Sequence, residues 1–344
     1  MNMLEKKFNM PSNPKNWRER AIELAKLNMR PSTITNVIER EFGYPYEHDK
    51  LYKKVYRITR TYGTKCKQVV ISDGDNIDIL PSDQFKPVRN MEPETIDADW
   101  NHNKIIKFGL IGDTQLGSKY TQLTHLNNFY DICEVEGITD VYHTGDITEG
   151  LKMRPGHEYE VYTVAADEML EDVIKNYPKR EGITTHFITG NHDASLYKHI
   201  GYDIGKAIAN ARDDMKYLGR DCAVINLTPN CTMEMRHPWD GSSYALSYKI
   251  QKMIETMECD TKPNILAVGH YHKAEYLFYR NIHALQTGCF QGQTPFTRGK
   301  GISVHIGGWI VTLEVATDGT IKRIQPEFIP YYSSIKDDYK NFKD

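Results

Sequence analysis

"IGDTQLGSKY", residues 111–120, poses the question on which the fold turns. It closes an apolar run, "IIKFGLI" at 105–111, with a lone carboxylate, Asp113, and two residues later an amide, Gln115. A short apolar run stopped by glycine reads as a buried strand. The loop at the carboxyl end of such a strand is where layered α/β sheets carry their chemistry. The plainer alternative is a turn begun by Asp113 with Gln115 in solvent. The other apolar runs decide between the two.

Three more runs end in polar clusters: "ITDVYHTGD" at 138–146, "ITTHFITGNHD" at 183–193 and "PNILAVGHYH" at 263–272. Helical stretches lie between them, for example "EVYTVAADEMLEDVIKNY" at 160–177. This alternation predicts an α/β layered domain. "RNIHALQTGCF" at 280–290 and "GGWIVTLEVATDGTIKRIQPEFI" at 307–329 read as antiparallel strands closing a second sheet. The run ends supply, in order, Asp113 with Gln115, then Asp146, then Asn191 with His192 and Asp193, then His270 and His272. His237, in "MRHPWDG", falls between the last two groups. Gly112, Gly145, Gly190 and Gly269 stand just before these groups, where sharp backbone turns are expected. His143, three residues before Asp146, is a candidate support for the site. His102, His125, His186, His199, His283 and His305 carry no motif and read as surface or structural residues.

The composition is that of a globular protein: 40% hydrophobic and 26% charged over 344 residues, enough for two domains with sizeable cores. No apolar stretch approaches the roughly 18 residues that a membrane span needs, so no membrane association is expected. The six cysteines form no CxxC pair, which argues against a thiolate zinc site or a disulfide framework and fits a cytoplasmic protein. The net charge of −3 conceals an asymmetry: residues 1–67 hold nine Lys and six Arg against seven acids. A basic front end on an acidic body suits a polyanionic partner, with a merely solvated basic face as the alternative.

That front end reads as three helices. "NWRERAIELAKL" turns Trp17, Ala21, Leu24 and Ala25 to one side. "PSTITNVIEREFG" does so with Ile34, Val37, Ile38 and Phe42, and "DKLYKKVYRITRTYG" with Leu51, Val55 and Ile58. The third helix leaves Lys50, Lys53, Lys54, Arg57 and Arg60 for the outside. "KQVVISDGDNIDIL" then reads as a hairpin around Asp-Gly-Asp-Asn. Three helices with a basic third resemble a helix-turn-helix module, and the hairpin would make it winged. The expected organisation is a nucleic-acid-binding unit at 1–80, a proline-bearing linker at 81–103, the α/β domain at 104–330 and a polar, mobile tail at 331–344.

The ordered clusters resemble the calcineurin-like metallophosphoesterase superfamily, whose motifs run D-x-H, GD, GNHD/E, a single H, then GHxH. The match spans about residues 104–325. "DTQLGS" looks like the DTHLG of SbcD-type DNA exonucleases, with Gln115 in place of histidine. The resemblance implies a four-layer αββα sandwich and two divalent metal ions. It assigns Asp113, Gln115, Asp146 and His272 to the first ion, and Asp146, Asn191, His237 and His270 to the second. His192 would face the scissile phosphate. Asp193 would orient His192 or nearby backbone. Such mixed donors suit manganese, iron or zinc, with magnesium admitted, better than calcium. Lys152, Arg154 and His157 in "LKMRPGHEYE" are candidates to grip substrate phosphates, against the alternative of a solvated loop. The expected activity is a phosphodiesterase, a DNA nuclease using a hydroxide activated by two metals. The alternatives are a phosphomonoesterase and a DNA-binding protein without catalysis. SbcD-type nucleases work with an ATPase, so an ATPase partner or a homodimer is the assembly to look for.

Overall fold

The computed structural model describes residues 16–26, 29, 31–43, 47–62, 68–73, 76–81, 93–241, 243–257 and 262–343, with backbone only at 60–62 and 68–81. Two compact units result, 1–92 and 93–344. In the first, helices α1 (Trp17–Lys26), α2 (Pro31–Phe42) and α3 (His48–Tyr62) precede strands β1 (Gln68–Asp73) and β2 (Asn76–Pro81), which pair antiparallel. The helical periodicity is realised: Ala21, Leu24, Ala25, Ile34, Ile38, Leu51, Val55 and Ile58 form one core. Lys50, Lys53, Lys54 and Arg57 on α3 are exposed. The Arg60 side chain lies outside the described residues.

The second unit runs β3 (Glu94–Asp97), β4 (Ile105–Ile111), α4 (Leu123–Val135), β5 (Asp140–His143), α5 (Ala166–Asn176), β6 (Thr184–Thr189), α6 (Asp193–Ile200), α7 (Ile204–Ala211), β7 (Met215–Arg220), β8 (Cys222–Thr228), β9 (Cys231–Arg236), α8 (Leu246–Glu255), β10 (Ile265–Val268), β11 (Ala274–Tyr279), β12 (Ile282–Thr287), α9 (Pro295–Gly299), β13 (Gly307–Val315) and β14 (Ile321–Pro330). They make two six-stranded sheets, ordered β14-β13-β4-β5-β6-β7 and β11-β12-β10-β9-β8-β3. Strands β4 to β7 are parallel; so are β9, β10 and β12.

The layers follow from period-two alternation. On β4, Phe108 and Leu110 join a core shared by both sheets, while Ile111 faces the helices. On β10, Ile265 and Ala267 enter that same inter-sheet core, whereas Leu266 and Val268 pack with Ile250 and Ile254 of α8. Helices α4 to α7 cover the outer face of the first sheet through Leu126, Phe129, Met169, Val173, Leu196 and Ile208. The result is the expected four-layer αββα sandwich. Among the described residues, no helix is long and apolar enough to cross a membrane.

Three details differ from the sequence reading. Strands β13 and β14 extend the first sheet, with β13 antiparallel to β4, rather than closing the second. Within the expected linker, Glu94–Asp97 is a strand paired in parallel with β8. The polar tail is docked. Gln122, before α4, exchanges two hydrogen bonds with the Ile335 backbone (2.7 and 3.1 Å). Asp338 Oδ2 accepts from Thr124 N (2.8 Å) and its Oδ1 from Thr124 Oγ1 (2.6 Å). Helix α4 has no side-chain cap of its own. Asp338 therefore caps it from a distance, answering one of the four unpaired N–H groups of its first turn. Replacing Asp338 with Ala should cost about 1–2 kcal/mol, read as a lower urea midpoint. Asp338→Asn, which keeps an acceptor oxygen, should recover most of it. An unchanged midpoint in the alanine variant would show that the tail does not stabilise the helix.

Candidate metal centre

Every candidate ligand sits just beyond the carboxyl end of a strand. Asp113 and Gln115 follow β4, Asp146 follows β5, Asn191 follows β6, His237 follows β9, and His270 and His272 follow β10. The first three strands are parallel neighbours in one sheet, and the last two are parallel neighbours in the other. The carboxyl ends of interior strands in both sheets thus feed a common centre. The backbone there is strained. Asp113, Gln115, Asp146, His270 and His272 all have φ between 51° and 79°, a region that costs a residue with a Cβ about 1–3 kcal/mol. Glycine serves two purposes around them. Gly145 has φ +97° and takes the turn expected of it. Gly190 has an ordinary φ but no room: a Cβ would lie 2.3 Å from Asp146 Oδ1 and 2.6 Å from His237 Nε2.

Asp146 is the hub. Its Oδ1 accepts from His192 N (2.8 Å), and its Oδ2 lies 3.2 Å from both His237 Nε2 and Gln115 Nε2. Burial disfavours the anion, yet His237, His192 and His270 together hold its carboxyl far below the ordinary range.

On one side of Asp146 the hydrogen bonds assign the tautomers. His237 Nδ1 faces Thr144 O at 2.8 Å, and His270 Nε2 faces Asp240 O at 2.6 Å. A carbonyl only accepts, so these nitrogens carry the protons. The opposite nitrogens, His237 Nε2 and His270 Nδ1, face Asn191 Oδ1, at 3.1 and 2.9 Å. Two ring nitrogens, an amide oxygen and a carboxylate oxygen converge there. Donors held about 2.0–2.1 Å from one tetrahedral ion stand roughly 3.3 Å apart, so the set fits a divalent cation. Burial opposes charge on His237, but the Asp146 carboxylate outweighs it and pushes that ring up to about 9. Burial and the neighbouring His237 push His270 down to about 4. The centre thus asks for one positive charge and has no place for two protons.

On the other side, Asp113 Oδ1 and Gln115 Oε1 are buried with no hydrogen-bond partner. His272 Nε2 lies 3.3 Å from that Asp113 oxygen, and Asp113 Oδ2 accepts from His270 N (2.8 Å). Gln115 is fully buried, which removes the reading of a solvated turn. Unpaired buried acceptors are costly, and a cation would satisfy both oxygens at once.

The remaining candidates divide. His192 donates from Nδ1 to Glu149 O (2.7 Å), which leaves Nε2 for other work. Asp193 binds backbone and not the His192 ring: it accepts from Ile147 N, Thr148 N, Thr148 Oγ1 and Gly190 N at 2.8–3.1 Å. Burial and the nearby Asp146 push Asp193 up to about 6. His143 is buried between Thr114 Oγ1 and Gly145 N and supports the loops from behind. Arg154 pairs with Glu160, and His157 Nε2 meets Glu149 Oε1 at 2.9 Å, so both are engaged within their loop. Lys152 is exposed. The sequence reading passed over Glu149. Its buried carboxylate also accepts from Gln291 Nε2 at 2.5 Å, and it groups with His157 and His192. The available signal was its place three residues after Asp146, just ahead of Gly150.

No protein-family model matches the chain. Curated relatives include the DNA polymerase II small subunit of Methanothermobacter thermautotrophicus, 25% identical over 189 residues, covering 45% of this chain and 39% of that one. The DNA polymerase II small subunit of Halobacterium salinarum is 23% identical over 264 residues, covering 63% and 49%. The chain thus spans half or less of the length of these relatives. Among solved structures, a novel archaeal phosphodiesterase aligns at 11% identity and TM-score 0.38, over 65% of this chain and all of that one. Vps29 complexed with zinc, from Entamoeba histolytica, aligns at 15% identity and TM-score 0.32, over 65% and 99%.

The crowding at Gly190 gives a test that needs no substrate. Gly190→Ala should push Asp146 and His237 apart and weaken manganese uptake by at least tenfold, roughly one supporting contact's worth, in a calorimetric titration. Circular dichroism should be unchanged, because the inter-sheet core is untouched. Uptake equal to the parent's would show that the two side chains do not converge on a common ion.

Proposed function

We propose that the chain is a metal-dependent phosphodiesterase acting on DNA. The observation that carries this is the place of Asp146 between Asp113, Gln115 and His272 on one side, where two buried oxygens lack partners, and Asn191, His237 and His270 on the other. Two divalent ions, manganese being the first choice for donors of this mixture, would supply charge to the phosphoryl oxygens and lower the pKa of water. The chain's own residues supply the rest. Asp146 and Asp193 fix the loops on which the phosphate rests. His192, oriented by the Glu149 carbonyl, offers Nε2 to the departing oxygen. His192, entering as the imidazolium with Nδ1–H kept on the Glu149 carbonyl, would give its Nε2 proton to the leaving alkoxide as the P–O bond breaks, while the attacking water gives one proton to solvent as its oxygen bonds to phosphorus.

DNA as the polymer is supported by two features. The exposed cations of α3 stand in a row that suits a phosphate backbone, and the curated relatives are named as subunits of a DNA polymerase. The same relatives favour a protein partner, a larger subunit, over the ATPase or the homodimer. A helix-turn-helix role for α1 to α3 belongs to this proposal.

Bis(p-nitrophenyl) phosphate, the corresponding monoester and labelled DNA, offered side by side with manganese, test the reading. Hydrolysis of the diester and of DNA in preference to the monoester is the expected result; preference for the monoester would overturn it. Asp146→Asn should abolish turnover and lower the bound metal. His192→Ala should keep its metal and slow the reaction by roughly 10²–10⁴-fold; a full rate at full metal content would remove His192 from the chemistry. Gln115→His should lower the manganese concentration for half-maximal rate, since imidazole is a better donor than an amide oxygen. No shift would mean that the amide already serves.

A further inference from the structure

Residues 68–344 carry 28 Lys and Arg against 39 Asp and Glu, so cations left without an acidic partner around the metal centre call for a reason. Lys152, Arg298 and Lys300 are such cations. Lys152 lies six residues after Asp146, between β5 and α5; Arg298 and Lys300 lie on and just after α9, between β12 and β13. All three are exposed. Among the described residues none of them pairs with an acid: Glu160 is taken by Arg154, and Asp337 by Lys340 at 2.9 Å.

The two loops that carry them meet at the centre. Gln291, at the start of the second loop, is buried and donates from Nε2 to Ser118 Oγ (2.9 Å), three residues after Gln115, and to Glu149 Oε2 (2.5 Å). The Arg154 guanidinium carbon of the first loop lies 4.4 Å from the centroid of the Phe296 ring of the second. Arg154 Nη2 is 3.9 Å from Glu149 Oε1, which is 3.8 Å from His192 Nδ1. The second loop is also pinned to the His272 segment: His305 N donates to His272 O (2.9 Å), and Lys273 Nζ to Ser303 Oγ (2.6 Å). Between these pins, Thr294 and Thr297 form a capping box that sets the short turn of α9. Arg298 and Lys300 thus stand on a fixed projection, two and four residues past the ring that touches Arg154. Arg298 also lies close to the loop that follows Gln115: burial and Glu160 push the Tyr120 phenol up, and the Arg298 charge acts on it in the opposite direction.

A small phosphodiester held at the centre makes no use of charges that stand off from it. A polymer does, because its backbone carries further phosphates past the rim on either side of the one being cut, and a cluster of one sign concentrates the opposite charge there. We propose that Lys152, Arg298 and Lys300 form a track for the phosphates that flank the scissile one, so that this unit itself grips a nucleic-acid strand across the metal centre. The track deepens the phosphodiesterase reading and rests on it.

The test follows a labelled thymidine oligomer and a duplex of equal length by fluorescence anisotropy, on the full chain in EDTA, across salt concentrations. The double variant Arg298→Gln, Lys300→Gln should bind about tenfold more weakly at low salt. Two lost phosphate contacts should flatten the plot of log affinity against log salt by about 1.4 on the single strand or about 1.8 on the duplex. Arg298→Lys with Lys300→Arg, which keeps both charges, should behave like the parent. Lys322→Gln with Arg323→Gln, which removes two exposed charges from β14, should leave the slope alone. A parental slope on both probes in the first variant overturns the track. An equal loss in the β14 variant does so too, since net charge alone would then be at work. With manganese present, the ratio of kcat/KM for the oligomer to that for bis(p-nitrophenyl) phosphate should fall in the first variant; both rates dropping at a constant ratio would mean a distorted loop and no track. The two readings fail separately. Cleavage of oligomer by the native chain with no response to these charges sinks the track alone. Charge-dependent binding in a chain that hydrolyses no diester sinks the phosphodiesterase reading alone.

Discussion

A buried carboxylate ringed by imidazole and amide side chains is the constraint on which the C-terminal unit is built. Asp146 cannot stay ionised away from water unless positive charge lies close, and the groups brought to it are lone-pair donors from both sheets. Assembling them requires Asp113, Gln115, Asp146, His270 and His272 to adopt left-handed backbone. None of these turns is favourable by itself. They persist because the strands beneath them are locked by the shared core of Phe108, Leu110, Ile265 and Ala267. The sandwich is thus less a container for the centre than a clamp that opposes its relaxation.

Much of this was legible in the sequence, for a definite reason. Strands buried on both faces read as unbroken apolar runs, so "IIKFGLI" and "NILAV" announced themselves, and the polar clusters had to fall at their ends. The ligand-type residues were visible because their side chains are chemically out of place beside such runs. Gln115 was ambiguous in sequence and became clear only through its burial and its unpartnered oxygen.

What escaped the reading was long-range. Nothing in "GGWIVTLEV" says which of two sheets it joins, because antiparallel pairing depends on edge availability and not on pattern. The tail after Pro330 looked polar, and it is; its polar groups are spent on Thr124 and Gln122, more than 200 residues away in sequence. Glu149 went unread because its carboxylate meets the distant side chains of His157 and Gln291, and Asp193 was half-read because a carboxylate that binds backbone N–H groups has no spacing signature.

The pairing of β13 with β4 also has a temporal consequence. The second strand of the unit to leave the ribosome cannot find its antiparallel neighbour until the chain has been made past Val315, and α4 waits still longer for Asp338. Before those moments β4 has an open edge and the first turn of α4 lacks its cap. Folding that defers such pairings is slow and exposes sticky intermediates. Strand β4 therefore depends on its parallel neighbour β5, and on whatever shields that open edge, until β13 and then Asp338 have been made.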